Sequence, residues 1–461
     1  MADRGRAAPA AQDPVASDAP WRLSGVDAVA LIRGGRLSAV ELVTSLVQRI
    51  SALDGDLRAW VTVDPDGALH AAQSVDRRLA AGEETGPLAG LPFGIKDVIH
   101  VGGLPTTASS RVLADFVPAD DAACIQALRQ ADATILGKVH TAEFAGAEPA
   151  PTRNPWNREH TPGGSSSGSA AAVAAGTVPI ALGTQTGGSI LRPAAYNGVV
   201  GLKPTYGTVS NDGVIPLAWS LDHVGVISRS VADAALALSV LGWTDVSADV
   251  DADPQRPPVI GLIGSGFLDT CEQETCEHTM QVVERLEANG ANVREIRLPS
   301  SFGRIGSGAM MIMSSEVHAY HRYQHRRKRA LYGPMISEMI DAGARVTTHE
   351  YLRALRERRD VTAAVEAALE GVDIALTPAT PAPAPRDTTT TGDARFQMPW
   401  SYAGLPAIAL PSGLTRSGLP LGIQLVGHRW RDGDLLRAAR WCEARIDFDA
   451  HPPCWTDKES L

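Results

Sequence analysis

Gly163-Gly164-Ser165-Ser166-Ser167-Gly168-Ser169 is followed by Ala170-Ala171-Ala172-Val173-Ala174-Ala175-Gly176, then by Val178-Pro179-Ile180-Ala181-Leu182, and then by a second turn, Gly187-Gly188-Ser189. Alone, the first run reads as a flexible linker. Its neighbours argue against that. The alanine-rich stretch is helix-forming, and the Val178–Leu182 run is apolar and strand-like. A glycine-serine turn, a helix and a strand in that order form a unit of an α/β fold. Ser165 and Ser189 are 24 residues apart. At ~1.5 Å per helical residue and ~3.3 Å per strand residue, a helix of roughly ten residues and a strand of roughly six have similar lengths. The strand is therefore expected to bring Ser189 back beside Ser165.

The same alternation extends in both directions. Ser24–Ile32 and Ser38–Leu53 read as amphipathic helices with serine N-caps. Leu91–Ile99 is a strand-like run with Lys96 in an apolar setting, Asp121–Ala131 is helical, and Ala133–Leu136 is a short strand. Residues 246–258 are polar and proline-rich and read as a linker or surface loop. Val259–Ile263, Asp373–Pro378, Leu405–Pro411 and Leu421–Val426 read as strands, and Glu272–Asn289 and Asp434–Arg445 as helices. Residues 1–22, rich in Ala, Pro and Asp, are expected to be a disordered tail ahead of one domain over 23–461. Within it, about 265–370 is expected to be a mostly helical insertion or lid on the same body.

Composition narrows the functional classes. The 461 residues are 44% hydrophobic and 20% charged, with a formal net charge of −10. Such a chain offers no broad basic field to nucleic acid or anionic membrane, so a small molecule is the expected partner. No apolar run approaches the roughly twenty residues of a membrane span. The five cysteines are scattered, without a C-x-x-C pair, which fits a reducing cytoplasm.

Serine hydroxyls beside bare glycine amides supply what acyl transfer requires: a nucleophile, and donors for the oxyanion it creates. Serine needs a base. His223 is the best-placed histidine in the sequence, but nothing marks a carboxylate to orient it. Lys96 is the alternative, because an apolar strand disfavours its charged form. Its neighbour Asp97 should point to the opposite face, which argues against a mutual salt bridge. Two other patterns carry competing readings. Gly164-Ser165-Ser166-Ser167-Gly168 matches G-x-S-x-G with Ser166 as nucleophile, although no strand precedes it. His318, His321 and His325 share a helix face suited to a metal, but Arg322, Arg326, Arg327, Lys328 and Arg329 crowd it, so a solvated basic face is expected.

Three motifs in order, Gly90-Leu91-Pro92-Phe93-Gly94-Ile95-Lys96-Asp97, Gly163–Ala170 and Gly183-Thr184-Gln185-Thr186-Gly187-Gly188-Ser189, resemble the amidase signature family. The resemblance continues through Gly201–Gly207, Ser220-Leu221-Asp222, Gly404–Ala407 and Gly418–Gln424. It implies a large twisted mixed β-sheet covered by helices on both faces, and amide hydrolysis without metal or cofactor. The implied triad is Ser189 as nucleophile, Ser165 on a cis peptide as proton bridge, and Lys96 as base. Backbone N–H groups of Thr186, Gly187, Gly188 and Ser189 would form the oxyanion hole. Gln185 stands where many members carry Asp, and Arg192 lies three residues after Ser189 rather than two. With these departures the run is similar to malonamidase, which makes Arg192 an expected anchor for a substrate carboxylate and Gln185 a second substrate contact; a structural ion pair is the alternative for Arg192. Glu316 and Tyr320 are candidates for the acyl pocket. Aryl amides and hydrazides stay open as substrates, as do a homodimer and a role as one component of an amidotransferase.

Overall fold

A computed structural model describes residues 19–242 and 256–456. The expected tail, up to residue 18, and the expected linker, up to residue 255, lie outside the described residues. Residues 19–22 depart from the tail reading. Pro20–Arg22 is a 3-10 turn with Trp21 buried. The Trp21 ring packs edge-on against Trp455 at 5.0 Å and lies 3.6 Å from the Arg49 guanidinium. An aromatic with those partners leaves water, so the ordered body starts before residue 23.

The strands are β1 (Trp60–Val63), β2 (Pro92–Lys96), β3 (Thr134–Val139), β4 (Ile180–Gln185), β5 (Val200–Lys203), β6 (His223–Ser228), β7 (Val259–Leu262), β8 (Asn292–Glu295), β9 (Ile374–Pro378), β10 (Ala407–Leu414) and β11 (Pro420–Val426). They form one mixed sheet in the order β1-β3-β2-β4-β6-β5-β10-β11-β9-β7-β8. β2 runs parallel to β3 and β4, while β6 is antiparallel to both β4 and β5.

Strand alternation separates two apolar cores. Along β9 and β10, Ile374, Leu376, Ile408 and Leu410 join one core, and Ala375, Ala407 and Ala409 join the other. Small alanines on that second face leave room for Leu191, Phe267, Ile312 and Trp400. Helices therefore cover both faces, as the resemblance implied. The segment expected to be a helical insertion contains helices Gln273–Ala288, Ile305–Lys328, Pro334–Gly343 and Thr348–Ala368, and also β8, which extends the main sheet beside β7.

The opening stretch folds as the helix Ser167–Ala174 followed by β4. Serine hydroxyls fasten the two: Ser169 Oγ donates to Leu182 O at 2.9 Å and Ser166 Oγ to Thr184 O at 3.2 Å. Ser24 and Ser38 cap their helices as read, Ser38 within a full capping box with Glu41.

Candidate active site

β2 and β4 are parallel, with Phe93–Ile95 registered on Ile180–Leu182, so both end at the same edge of the sheet. Lys96 is the last residue of β2 and Gln185 the last of β4. The loop before helix Ser167–Ala174 meets them there. Lys96 Nζ lies 2.9 Å from Ser165 Oγ, 2.7 Å from Thr184 Oγ1 and 3.2 Å from Thr184 O. The Gly164–Ser165 peptide is cis. Burial drives the Lys96 ammonium well below its ordinary pKa, opposed in part by the charge of Asp222.

Two other lysines are fully buried, and they show what sets Lys96 apart. Lys138 pairs with Asp97 at 3.0 Å, which also accounts for the neighbour of Lys96. Lys203 donates to the carbonyls of Pro204 and Leu405, and burial lowers its pKa to about 7. Lys96 has a serine hydroxyl in contact and no carboxylate.

Ser189 follows in the turn after β4. Its carbonyl accepts from Ser166 N at 3.2 Å, which joins this turn to the Ser165 loop. The Ser189 side chain makes no hydrogen bond among the described residues, and Ser189 is 8% exposed where Lys96 and Ser165 are at 0%. Thr186, Gly188 and Ser189 are buried, yet the N–H groups of Thr186, Gly187, Gly188 and Ser189 find no acceptor among the described residues. Buried unpaired N–H groups are rare in folded proteins. A row of them beside a free hydroxyl suits a developing negative charge. The carbonyls of this turn are instead held: Gly187 O by Ser401 Oγ at 2.7 Å and Gly188 O by Arg192 N at 3.0 Å.

Asp222 supports the same turn from behind. Its carboxylate accepts from Thr186 Oγ1 at 2.5 Å and from Leu217 N and Ala218 N at 3.0 Å. Burial nonetheless pushes its pKa up to about 7. On the other side, residues 391–398 form a wall. A side chain at Gly187 would meet Met398 at 3.4 Å, and one at Gly188 would meet Gln397 Oε1 at 2.8 Å. A cavity of about 540 Å³ lined by Tyr206, Arg358, Arg429 and Trp430 does not include the serines.

Several expected residues sit differently. Gln185 is fully buried and its amide is consumed within the protein. Oε1 accepts from Ile190 N at 2.8 Å and Leu191 N at 3.0 Å, while Nε2 donates to Ser401 Oγ at 2.9 Å. It is placed to hold the turn rather than to touch substrate. Arg192 is 6% exposed. Its Nη1 donates to Gly392 O at 2.7 Å and its Nη2 to Gly164 O at 2.7 Å and Thr391 Oγ1 at 3.1 Å. No carboxylate lies within ion-pair distance of Arg192 among the described residues, although the charge of Asp393 is close enough to favour the cation. Its Nε is buried without a partner, and burial lowers the guanidinium pKa.

Ser166, the competing nucleophile, is fully buried and bonded to the backbone of Thr184. His223 Nδ1 lies 3.1 Å from Gln185 O, and burial pulls its pKa well below 6.5. The histidine face of Ile305–Lys328 is not solvated: His321 and His325 are buried against Tyr332 and Ser337. Arg322, Arg326, Arg327, Lys328 and Arg329 are exposed, so the helix turns its basic side chains to solvent and packs His321 against Phe144 and Tyr332 on the opposite side. Glu316 is buried and ties Ser220 to Tyr351, while Tyr320 is 48% exposed. Thr184, Asp222 and Ser401 had no role assigned from the sequence. Thr184 and Asp222 lie inside quoted motifs, but Ser401 is more than two hundred residues from its partners in an unremarked short helix, Met398–Ala403.

The Amidase family profile matches residues 41–436. The A component of glutamyl-tRNA(Gln) amidotransferase from Carboxydothermus hydrogenoformans is 35% identical over 94% of this chain and 99% of that protein. Among solved structures, the native peptide amidase from Stenotrophomonas maltophilia superimposes with a TM-score of 0.84 at 30% identity, over 95% of this chain and 99% of that one. A chain from a vestigial complex described as revealing the origins of an s-triazine catabolic enzyme gives 0.85 at 30% identity, over 92% and 98%. With its lysine, paired glycine-serine turns and eleven-stranded sheet, the chain belongs to the amidase signature family and is an amidase-type enzyme acting on carbon–nitrogen bonds.

Proposed function

We propose that the protein hydrolyses a small amide to a carboxylic acid and ammonia or an amine through an ester on Ser189. The observation that carries this reading is the contact of a fully buried, carboxylate-free Lys96 with Ser165. A neutral amine has two N–H donors, which suit Thr184 O and Thr184 Oγ1, and one lone pair, which suits the Ser165 hydroxyl proton. As Ser189 Oγ attacks the amide carbon, its proton passes to Ser165 and that of Ser165 to Lys96. The carbonyl π electrons move to oxygen, where the N–H groups of residues 186–189 stabilise the charge. The C–N bond then breaks, and the leaving nitrogen takes the proton back through Ser165. Water cleaves the ester by the same relay. Five free cysteines suit a reducing cytoplasm for this chemistry.

Within this reading the substrate carries a carboxylate. Arg192 is a buried cation hydrogen-bonded to carbonyl and hydroxyl oxygens, with Nε unpartnered, and the nearby charge of Asp393 offsets its burial only in part. Charges so buried ordinarily have a counter-ion. A second reading, the acylating component of an amidotransferase that hands ammonia to a partner, is favoured by the relatives that bear an amidotransferase name.

A panel of small primary amides with and without a carboxylate tests both. The expected result is stoichiometric acid and ammonia from the isolated protein, at least about 10³-fold slower in Ser189→Ala. Arg192→Met should slow carboxylate-bearing amides by about 10–100-fold more than neutral ones. Turnover that survives in Ser189→Ala contradicts the reading. Turnover that appears only with a second protein supports the amidotransferase.

A further inference from the structure

Two glycines in succession leave the Gly187–Gly188 peptide free to rotate unless something fixes it. One hydrogen-bond chain does. Ile190 N and Leu191 N are both donors, so the Gln185 atom facing them at 2.8 and 3.0 Å is the amide oxygen. That orientation leaves Nε2 facing Ser401 Oγ at 2.9 Å. A hydroxyl has one proton. Because Nε2 donates to it, the Ser401 proton is released to Gly187 O at 2.7 Å. Gln185 and Ser401 are fully buried, so water does not compete for the bond between them, while the Gly187 end of the chain is half-buried. In a trans planar peptide, C=O and N–H point in opposite directions. Fixing the Gly187 carbonyl on Ser401 therefore turns the Gly188 N–H away from Ser401, where it has no acceptor among the described residues.

We propose that Gln185 and Ser401 are positioning residues that hold the Gly188 N–H toward the oxyanion formed at Ser189. This rests on the assignment of Ser189 as nucleophile. The amide of Gln185 is the part that matters. A glutamate at this position, longer by one methylene than the aspartate many family members carry there, sets a carboxylate against Ile190 N, Leu191 N and Ser401 Oγ at once, and it has no proton to give. It would draw the Ser401 hydroxyl toward itself, release the Gly187 carbonyl, and add a negative charge close to the developing oxyanion. Glutamine at residue 185 thus sets the direction of every bond in the chain.

The test uses a small alkyl fluorophosphonate, whose phosphoryl oxygen takes the oxyanion position as serine attacks. Its inactivation kinetics separate reversible binding (KI) from bond formation (kinact). Labelling of wild type and none of Ser189→Ala establishes the nucleophile independently. Gln185→Glu and Ser401→Ala should each lower kinact by about 10–100-fold, below the 10²–10³ loss of an entire oxyanion donor, with KI within twofold. Ser401→Thr, which keeps the hydroxyl, should restore most of the rate. If Ser401→Ala does not fold, Ser401→Cys, near in volume but a weak donor, is read in the same way. A merely structural role would lower the melting temperature and leave kinact of the folded fraction at the wild-type value. That result, or equal rates for Gln185→Glu and wild type, overturns the proposal. Failure of wild type itself to be labelled overturns the Ser189 assignment instead.

Discussion

Lys96 is the residue on which the proposed chemistry turns. Its environment costs stability and supplies basicity for the same reason: desolvation penalises the ammonium. In the folded state its pKa lies well below the 10.5 of an exposed lysine. Between those two values the unfolded chain binds the proton and the folded chain does not, so this group lowers stability at neutral pH and the cost fades as pH rises toward the ordinary lysine range. Lys96→Met should therefore keep or raise the melting temperature at pH 7, flatten the rise of stability on the alkaline side, and lower turnover by about 10²–10⁴-fold. Calorimetry across pH and a kcat/KM profile check both halves; a variant that melts much lower would show that the lysine is held as a cation. Lys96 could be found from the sequence because an ionisable residue in an apolar strand is conspicuous. Gln185 and Arg192 were legible only as departures from a pattern. Their roles depend on Ser401, Gly164 and Thr391, which converge on them from distant segments.

At the scale of the element, the helix Ser167–Ala174 and β4 form the frame of the site. The alanines predicted the helix and the apolar run the strand, and the observed spans Ser167–Ala174 and Ile180–Gln185 lie close to those expected. What the local pattern did not show is how closely the helix approaches its neighbours. Glycine inside a helix ordinarily costs about 1 kcal/mol relative to alanine. At Gly168, however, an added Cβ would lie 2.4 Å from both Ala59 O and His140 N. Both are backbone atoms and cannot swing away. Overpacking of this kind costs about 1–3 kcal/mol and outweighs the gain in propensity. Gly168→Ala should thus lower the urea midpoint without changing the denaturant slope. A raised midpoint would mean that the helix can shift outward.

Over the whole molecule, the site is assembled from parts far apart in the chain. Lys96 comes from β2, Ser165 and Ser189 from the two turns around one helix and strand, Asp222 from the turn before β6, and Ser401 from a helix beside β10. The strand order explains the gathering: β2, β4 and β6 are consecutive neighbours, so their ends meet at one place. Alternating helix and strand signals revealed the α/β class. They did not reveal that β8 would extend the main sheet, because its Asn-Val-Arg-Glu sequence has only one apolar residue. They also did not mark residues 391–398 as the wall of the site, since Thr391-Gly392-Asp393-Ala394-Arg395-Phe396-Gln397-Met398 follows a proline- and threonine-rich loop and carries no periodic signal of its own. The assembly has one direct test. An amide that the protein hydrolyses is mixed with it, quenched in acid within the first turnover, and the protein is digested and mass-mapped. The account predicts the acyl mass on the peptide carrying Ser189, absent in Ser189→Ala and strongly diminished in Lys96→Met. An acyl group on Ser165 or Ser166, or ammonia released with no acyl-protein at any quench time, would contradict it.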